Sequence, residues 1–474
     1  MKTRAPTRVG QVCDLPSNTQ RANRASHRPA LLRAWHGIVK RFGDRCAVTE
    51  AAGGAACTFA ELDARAEAWR GRQAADEALR GRAVVFALPN GAAWLEIFLA
   101  LAKAGAVIVP LDAGEPPAEQ RRLAAELRAA FWWDGERLLA LPNARRYRDP
   151  ATRLIKLTSG TTGRPRPLVF TEAQLLADAR QVVATMGIRA RDLNYALIPF
   201  GHSYGLGNLT LPLLVHGVPL VCGAAALPHA IAADFARWNP TVFPSVPAVW
   251  RALAAAELSH EALASLRLPI SAGAPLPVEV ARDFAARFGR RIRSFYGSSG
   301  TGGIAFDRTG AAALAGGVGD AMRGVRVRAL PGGKIRVSSG AVFTHGNAHR
   351  DGAHGAWMPP DRVRRADRTG FVLLGRRGTM VKIAGRRVNP AEIATRLRGL
   401  DGVREAWVGA SGGSDAMLGA AVASERTAGE LRAALQAVLP AWKVPKRWAV
   451  LADFPLTARG KTDARALHAR VFGG

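Results

Sequence analysis

The stretch with the clearest capacity for chemistry is a loop of hydroxyl side chains and glycines that runs into arginines. It consists of Thr158, Ser159, Gly160, Thr161, Thr162, Gly163, Arg164, Pro165 and Arg166. Glycine lets the backbone approach an anion closely, while free N–H groups and hydroxyls donate to its oxygens. The arginines add fixed charge and paired donors. This composition suits a polyphosphate, although such a run is more often an ordinary turn, and it lacks the Gly-Lys-Ser/Thr ending of a Walker A loop.

Two further places hold groups that can bind a ligand. A second Gly/Ser loop contains Tyr296, Gly297 and Ser299, and by composition alone it is either a turn or a ligand contact. Asp361 lies in a predicted turn, where a carboxylate offers two acceptor oxygens to a pair of hydroxyls. An aspartate in such a turn is usually solvated, so this residue alone does not define a site.

The elements that must position these groups alternate between helix and strand. The loop follows an apolar strand end at residues 154–157, and the pattern predicts helices at 59–75 and 94–104. Continuous apolar strands separated by helices indicate a parallel sheet that is covered on both faces. The predicted strands lie at residues 83–88, 106–111, 195–199, 219–221 and 241–244.

The last third of the chain has a different pattern of predicted elements. Short β runs at 334–337 and 371–374 precede a Gly/Arg-rich turn, and two helix–strand units follow it. We therefore predict a basic, disordered tail over residues 1–30, a large domain over 31–377 and a small mobile domain over 378–474. A final unit of about 96 residues has the size of a small α+β domain.

Composition limits the class of protein. The chain has 474 residues, of which 48% are hydrophobic, and no apolar stretch approaches the roughly 18 uninterrupted residues of a membrane span. Its four cysteines show no CxxC spacing, which argues against a zinc site or a disulfide framework. We expect a globular protein of the reducing cytoplasm, without a membrane span.

The net charge of +29 favours acidic partners. Only nine of the 66 basic residues are lysine, and the arginines are scattered without a nucleic-acid motif, so we expect no nucleic acid as a partner. An acidic protein or a phosphate-bearing small molecule would suit the charge. Because lysine is so rare, a retained lysine is a candidate for chemistry, and Lys382 and Lys461 are the two that we single out.

These motifs resemble, in their order, those of the adenylate-forming superfamily, which includes acyl-CoA synthetases, aryl-acid ligases and carrier-protein adenylation domains. The first loop is similar to TSGTTGxPK, with arginine at 166 in place of lysine, and Tyr296-Gly297-Ser298-Ser299 is similar to YGxTE. Further similarities lie at 271–276 (SGGAPL), 199–205 (PxxHxxG), 382–393 (KxxGxRVxPxEIE) and 455–463 (PxTxxGKxDR). The resemblance spans residues 35 to 470.

The resemblance implies a role for each matching residue. The loop 158–163 and Arg166 would hold the ATP phosphates, the ring of Tyr296 would lie near adenine, and Ser299 would contact the α-phosphate. Other implied contacts are Asp361 with the ribose, Arg376 with ribose or phosphate, and Gly273, Ala274 and Pro275 with the adenine and acyl pockets. Finally, His202 would form the wall between the acyl pocket and the thiol tunnel, Lys461 would reach the reacting carboxylate, and Lys382 would face the site during thioester formation.

Two positions besides Arg166 depart from the pattern. Gly300 stands where the family has a glutamate that helps to hold Mg²⁺, which removes a hard oxygen ligand. Mg²⁺ could still bind through the ATP phosphates and water. At the hinge, Gly378 replaces aspartate or lysine, and glycine can absorb the φ/ψ change of a domain rotation.

By this resemblance the fold is α/β, with parallel sheets flanked by helices, a barrel-like part and a hinged C-terminal α+β domain. The implied reaction activates a small aryl or acyl carboxylic acid with ATP and Mg²⁺ as an acyl-adenylate. The acyl group then passes to a thiol, either CoA or the phosphopantetheine of a carrier protein. Two alternatives stay open: a degenerate, non-catalytic nucleotide- or acyl-binding protein of the same fold, favoured by Gly300, and a charge-driven binder of nucleic acid or an anionic surface.

Overall fold

The computed structural model describes residues 30–73, 76–158, 166–343, 349–351, 354–366, 370–376, 381–383, 386–411, 417–437, 439, 441–457 and 462–473. The α-helices of these residues are α1 Ala30–Phe42, α2 Phe59–Arg72, α3 Asp76–Leu79, α4 Ala92–Lys103, α5 Pro117–Glu126, α6 Glu172–Met186, α7 Ser203–Gly205, α8 Leu211–His216, α9 Pro228–Trp238, α10 Pro247–Ala255, α11 Val278–Phe288, α12 Pro390–Arg398, α13 Ala428–Gln436 and α14 Ala464–Phe472. A π-helix at Leu206–Thr210 joins α7 to α8, and 3-10 turns lie at His260–Leu263, Ala313–Ala315, Pro331–Gly333 and Ala441–Lys443.

The strands are β1 Cys46–Glu50, β2 Ala56–Thr58, β3 Ala83–Ala87, β4 Val107–Leu111, β5 Phe131–Trp133, β6 Leu138–Ala140, β7 Thr152–Thr158, β8 Arg166–Thr171, β9 Asn194–Ala196, β10 Leu220–Cys222, β11 Val242–Ser245, β12 Leu268–Ser271, β13 Arg293–Ser298, β14 Gly302–Phe306, β15 Asp320–Ala321, β16 Arg326–Leu330, β17 Lys334–Ser339, β18 His349–Asp351, β19 His354–Trp357, β20 Asp361–Ala366, β21 Gly370–Arg376, β22 Val381–Ile383, β23 Arg386–Val388, β24 Val403–Ala410, β25 Leu418–Ser424 and β26 Arg447–Leu451.

Two large sheets form the body of the protein. One has nine strands in the order β15-β14-β13-β12-β11-β9-β10-β1-β2, and its centre from β13 to β1 is parallel. The other has the order β6-β5-β3-β4-β7-β8, with a parallel centre from β5 to β7. The predicted parallel sheets are confirmed, and the observed strands overlap the predicted ones.

Helix α6 lies between the two sheets, because it contacts β7 and β8 of one and β14 of the other. It begins at a capping box in which Thr171 and Gln174 exchange side-chain and backbone hydrogen bonds, and it ends at Gly187, whose φ of 64° is in the left-handed region. Such caps satisfy the free backbone groups at both helix ends. The main hydrophobic core surrounds this helix and includes Leu175, Ala179 and Val182.

An antiparallel sheet of strands β16 to β21 stands where the resemblance implied a barrel-like part. Strand β17 is its centre, since it pairs with β16 along its length and with β19 and β20 on its other edge. Strand β20 pairs in turn with β21, which leads towards the predicted hinge. Inward-facing Ile335, Val337 and Val363 pack into the main core.

The residues after 380 have a hydrophobic cluster of their own. It includes Ile393, Leu397, Val422, Leu431 and Leu435, from the three-stranded sheet β24-β25-β26 and the helices against it. The predicted boundary near 378 lies outside the described residues and stays a prediction. The sequence predicted two helix–strand units here, whereas the described residues also hold the hairpin β22–β23, strand β25 and helix α14. No described helix is both long and apolar enough to cross a membrane.

Candidate active site

The carboxyl ends of the parallel strands carry most of the described candidate residues. Tyr296 and Gly297 lie near the end of β13, and Gly273 follows β12 by two residues. Strands β12 and β13 are neighbours, with Ser271 opposite Ser294, so these two segments emerge side by side. Ligands of open α/β sheets bind at this edge.

Tyr296 and Asp361 are in direct contact. The Tyr296 hydroxyl donates to Oδ2 of Asp361 at 3.0 Å, and the two residues are only 6% and 8% exposed. Asp361 begins β20 of the antiparallel sheet, whereas Tyr296 belongs to the nine-stranded sheet. The structure thus brings together two residues that the sequence assigned to adenine and ribose.

Asp361 also has a second predicted residue beside it. In the β20–β21 pair Asp361 lies opposite Arg376, and Arg362 lies opposite Gly375. The structure describes the backbone of Arg376 but not its side chain. The register nevertheless places the backbone of both predicted ribose contacts at the same end of one antiparallel pair.

The segment 273–275 is exposed at the edge of the nine-stranded sheet. Gly273 has a φ of +87°, a conformation that favours glycine, and a Cβ there would lie 3.5 Å from Cγ1 of Val246. Gly273, Ala274 and Pro275 are all exposed to solvent. Their exposure next to β13 fits a segment that lines a pocket with its backbone, as the resemblance implied.

The turn between β13 and β14 is held by hydroxyl groups. Ser298 Oγ and Thr301 Oγ1 are 2.8 Å apart, and Thr301 Oγ1 donates to the Gly302 carbonyl at 3.0 Å. Gly297 is needed because a Cβ there would lie 2.7 Å from the Gly302 oxygen. Ser299 lies half-buried in this turn. The sequence analysis missed Thr301, whose position directly after the motif was the available signal.

His202 has a carboxylate partner that the sequence did not predict. Its Nε2 lies 3.0 Å from Oδ2 of Asp112, and the side chains are 30% and 13% exposed. Asp112 directly follows β4 and also accepts from the Gly114 N–H at 3.0 Å. A carboxylate on one ring nitrogen orients the imidazole and fixes which nitrogen carries the proton.

The loop that carries His202 is anchored on both sides. The Asn90 side chain accepts from the Phe200 N–H at 2.8 Å and donates to the Ile198 carbonyl at 2.9 Å. Gly201 packs so closely that a Cβ would lie 2.7 Å from the Leu111 oxygen. Immediately after His202 the helix contains the π-turn Leu206–Thr210, a feature that is frequent at functional sites.

The phosphate loop is described only at its two ends. Thr158 ends β7 and Arg166 begins β8, and the two are opposite each other in this antiparallel pair. Arg166 is exposed, and of Thr158 the structure describes the backbone. The remaining loop candidates Ser159, Gly160, Thr161, Thr162 and Gly163 lie outside the described residues.

The two singled-out lysines are not placed by the structure. Lys461 lies outside the described residues, although its neighbours Leu456 and Thr462 form an isolated β-bridge. Lys382 lies on β22 opposite Arg387, and only its backbone is described. Their roles therefore stay predictions.

The position of the missing glutamate is filled by apolar side chains. A Cβ on Gly300 would lie 2.9 Å from Cε1 of Phe343 and 3.6 Å from Cδ1 of Leu168. The Phe343 N–H donates to the Gly300 carbonyl at 3.1 Å, which holds the backbone of Phe343 against this turn. The described residues hold no group of three His, Cys, Asp or Glu that could bind a metal. The described part of this turn therefore does not fit a protein-held Mg²⁺.

Comparison with known proteins decides the family. The sequence model of the family described as "AMP-binding enzyme" matches residues 35–146 and 142–340, well over half of the chain. The chain belongs to this family. The resemblance to adenylate-forming enzymes is thereby confirmed, and the family uses ATP and Mg²⁺ with CoA or phosphopantetheine as acceptor.

Several characterised proteins are similar to this AMP-binding enzyme. Feruloyl-CoA synthase of Amycolatopsis sp is 28% identical over 86% of this chain and 93% of its own length. Benzoate–CoA ligase of Thauera aromatica is 28% identical over 64% of this chain and 63% of its own. The ATP-bound crystal structure of MatB from Rhodopseudomonas palustris superimposes with a TM-score of 0.78 at 22% identity, over 92% of this chain and 97% of that one. These matches confirm the predicted fold class, and nothing in them favours the non-catalytic alternative.

Proposed function

We propose that this protein is an AMP-forming acid–thiol ligase that activates a carboxylic acid with ATP and then transfers it to a thiol. The observation that carries the proposal is the Tyr296–Asp361 contact at 3.0 Å, in a member of the AMP-binding family. One side chain assigned to adenine and one assigned to ribose meet at the edge of the sheets where such folds bind ligands.

Each proposed role follows from the chemistry of the group. Asp361 accepts from the ribose hydroxyls, and Tyr296 holds its carboxylate in place. Lys461 delivers a compact charge to the oxygens that become negative as the acyl-adenylate forms. His202, oriented by Asp112, faces the acyl pocket and the path of the thiol. Holding acid and ATP side by side supplies much of the rate acceleration.

We propose a small aryl acid as the substrate class. Two of the similar proteins are named for feruloyl and benzoate groups, which are both aromatic carboxylates. The aliphatic acids stay in the test as the competing class, because the sequence analysis left both open. A cytoplasmic location is likewise a prediction.

For the acceptor, the surface charge supports an acidic carrier protein. The outward-facing side of the antiparallel sheet carries six cations on three adjacent strands: Arg326, Arg328, Lys334, Arg336, Arg362 and Arg364. Exposed Met358 directly follows β19, and exposed Leu374 lies on β21 of the same sheet. Cations beside apolar side chains suit an acidic protein surface better than a bare polyphosphate.

The test is ATP–pyrophosphate exchange with a panel of aryl and aliphatic acids, followed by transfer to CoA and to an acidic holo-acyl carrier protein. We expect exchange with aryl acids that Lys461→Ala abolishes. Lys446→Ala is the matched control, an exposed lysine on the same C-terminal part, and it should leave exchange unchanged. Wild-type protein that supports no exchange with any acid would contradict the ligase function.

The acceptor is tested separately with a charge reversal of the basic face. Arg326→Glu/Arg328→Glu/Lys334→Glu should raise the KM for the carrier protein at least tenfold and leave exchange unchanged. An equal loss with CoA and carrier protein, or no loss with either, would contradict the carrier-docking role of this face.

A further inference from the structure

One buried carboxylate on helix α6 contacts several segments of the candidate site. Asp178 is 4% exposed and lies at the middle of α6, between the two large sheets. Its side chain lies against the turn after β13 and against the π-turn after His202. These two segments are far apart in the chain.

The first contact is with the turn that carries the candidate nucleotide residues. Oδ1 of Asp178 accepts from the Gly303 N–H at 3.2 Å. The adjacent Gly302 has a φ of +67° and lies so close that a Cβ there would clash with the Asp178 carboxylate. The carbonyl of the same Gly302 accepts from the Thr301 hydroxyl, so the carboxylate is in direct contact with the turn 298–303.

The second contact is with the helix that follows His202. A Cβ on Gly207 would lie 3.2 Å from Oδ2 of Asp178, and Gly207 belongs to the π-turn Leu206–Thr210. A carboxylate packed against the π-turn limits how that helix can shift. Since His202 precedes the helix by one residue, Asp178 influences its position through the backbone.

A buried lysine lies on β7, just before the phosphate loop. Lys156 is 5% exposed, lies on β7 two residues before Thr158, and places its ammonium 4.4 Å from the centre of the Phe170 ring. Burial lowers the pKa of Lys156, and the charge of Asp178 opposes that shift. Burial raises the pKa of Asp178, opposed by Lys156 and by the Gly303 N–H. Each charge thus favours the ionised form of the other.

We propose that Asp178 is a positioning residue that holds the turn 298–303 and the His202 helix in one catalytic arrangement. The inference rests on the proposed function. Its physical basis is that this buried carboxylate accepts from the Gly303 N–H and packs against Gly302 and Gly207, so a shift of either segment costs the carboxylate its contacts. Asp178 does not touch substrate in this scheme.

The same helix and strand offer a matched comparison. Arg153 on β7 and Glu172 on α6 form a buried ion pair at 2.6 Å. This second pair binds the Ala106 carbonyl and the Leu31 N–H, which belong to no segment of the candidate site. A buried carboxylate that is only structural should behave like Glu172, and a positioning carboxylate should not.

The test combines stability with ATP binding and kinetics. Asp178→Asn keeps an acceptor for Gly303 but leaves Lys156 without its counter-charge, and Lys156→Met does the reverse. The double variant Lys156→Met/Asp178→Asn removes both charges, so its thermal midpoint should return towards the wild-type value. We expect the double variant to keep at least a tenfold loss in kcat/KM for ATP. Glu172→Gln should lower the midpoint while the folded protein keeps wild-type kinetic constants.

Two results would overturn the proposal. One is a double variant that regains wild-type kinetic constants along with its stability, and the other is an equal kinetic loss in Asp178→Asn and Glu172→Gln. Calorimetric ATP affinity of each variant keeps this test separate from the ligase function. If the wild type binds ATP but supports no exchange, a weaker ATP affinity in Asp178→Asn alone still supports positioning, and unchanged affinity contradicts it.

Discussion

The Tyr296 hydroxyl and the Asp361 carboxylate lie 3.0 Å apart although 65 residues separate them in the chain. One comes from the end of a parallel strand and the other from the start of an antiparallel one. Because both are buried, the hydrogen bond fixes the carboxylate before any nucleotide arrives. A preoriented acceptor loses less freedom on binding, which favours affinity.

Tyr296→Phe tests this relationship. It removes one donor to a buried carboxylate, which costs about 1–3 kcal/mol when the partner is left unsatisfied. We expect the KM for ATP to rise about tenfold, with little change in the KM for the acid. Asp361→Asn should be more severe, since an amide offers one acceptor atom instead of two. Wild-type ATP affinity in Tyr296→Phe would show that the contact is irrelevant to nucleotide binding.

Asp112→Asn tests the orientation of His202. The amide cannot hold the imidazole as the carboxylate at 3.0 Å does. We expect transfer to the thiol to fall about tenfold while ATP–pyrophosphate exchange stays within about twofold. His202→Asn should give the same pattern, and the double variant should lose no more than either single one, because both act in one unit. Additive losses would place Asp112 and His202 in separate roles.

Gly300→Glu tests the apolar filling of the turn. Phe343 lies 2.9 Å from the position of the new Cβ, so the larger side chain forces the ring to move. Overpacking of this kind costs about 1–3 kcal/mol. We expect a lower thermal midpoint and no gain in Mn²⁺ binding by the nucleotide-free protein, measured by electron paramagnetic resonance.

The matched variant makes room for the carboxylate. Gly300→Glu/Phe343→Ala should be less stable than wild type but should bind Mn²⁺ more tightly than Phe343→Ala alone. A Gly300→Glu protein with wild-type stability would show that Phe343 does not occupy this space in solution.

Glu405→Gln tests the contact between the body of the protein and its C-terminal part. Oε1 of Glu405 on β24 accepts from Nη1 of Arg251 on α10 at 2.7 Å. Burial lowers the pKa of nearby Arg398, and the charge of Glu405 opposes that shift. Loss of the Glu405 charge should reduce the free energy that holds the C-terminal part against the body by about 1 kcal/mol. Distances between spin labels on the two parts should broaden, and Arg251→Gln should not add to the effect.

The sequence alone determined the class of fold and most of the segments that are proposed to contact the substrates. Strands such as β3 and β4 are continuous runs of apolar residues, and such a run can be recognised in the sequence itself. In the structure these runs are buried, as the sequence pattern predicts. The Gly/Ser turns could also be predicted from the sequence. Glycine is required at 297 and 273 because of the backbone geometry of residues close by in the chain. The elements of the C-terminal part were predicted less completely. Its strands β22 and β23 are short and show no clear alternation of apolar and polar residues.

Only the tertiary structure decided which side chains meet. Asp112 and His202 are 90 residues apart, and no local pattern pairs them. The scarcity of lysine pointed to Lys382 and Lys461, yet the lysine that is buried is Lys156, in the apolar strand β7. Phe343 over Gly300 was equally invisible. Periodicity tells which face of a strand or helix is buried, whereas the packing of distant elements decides what that face touches.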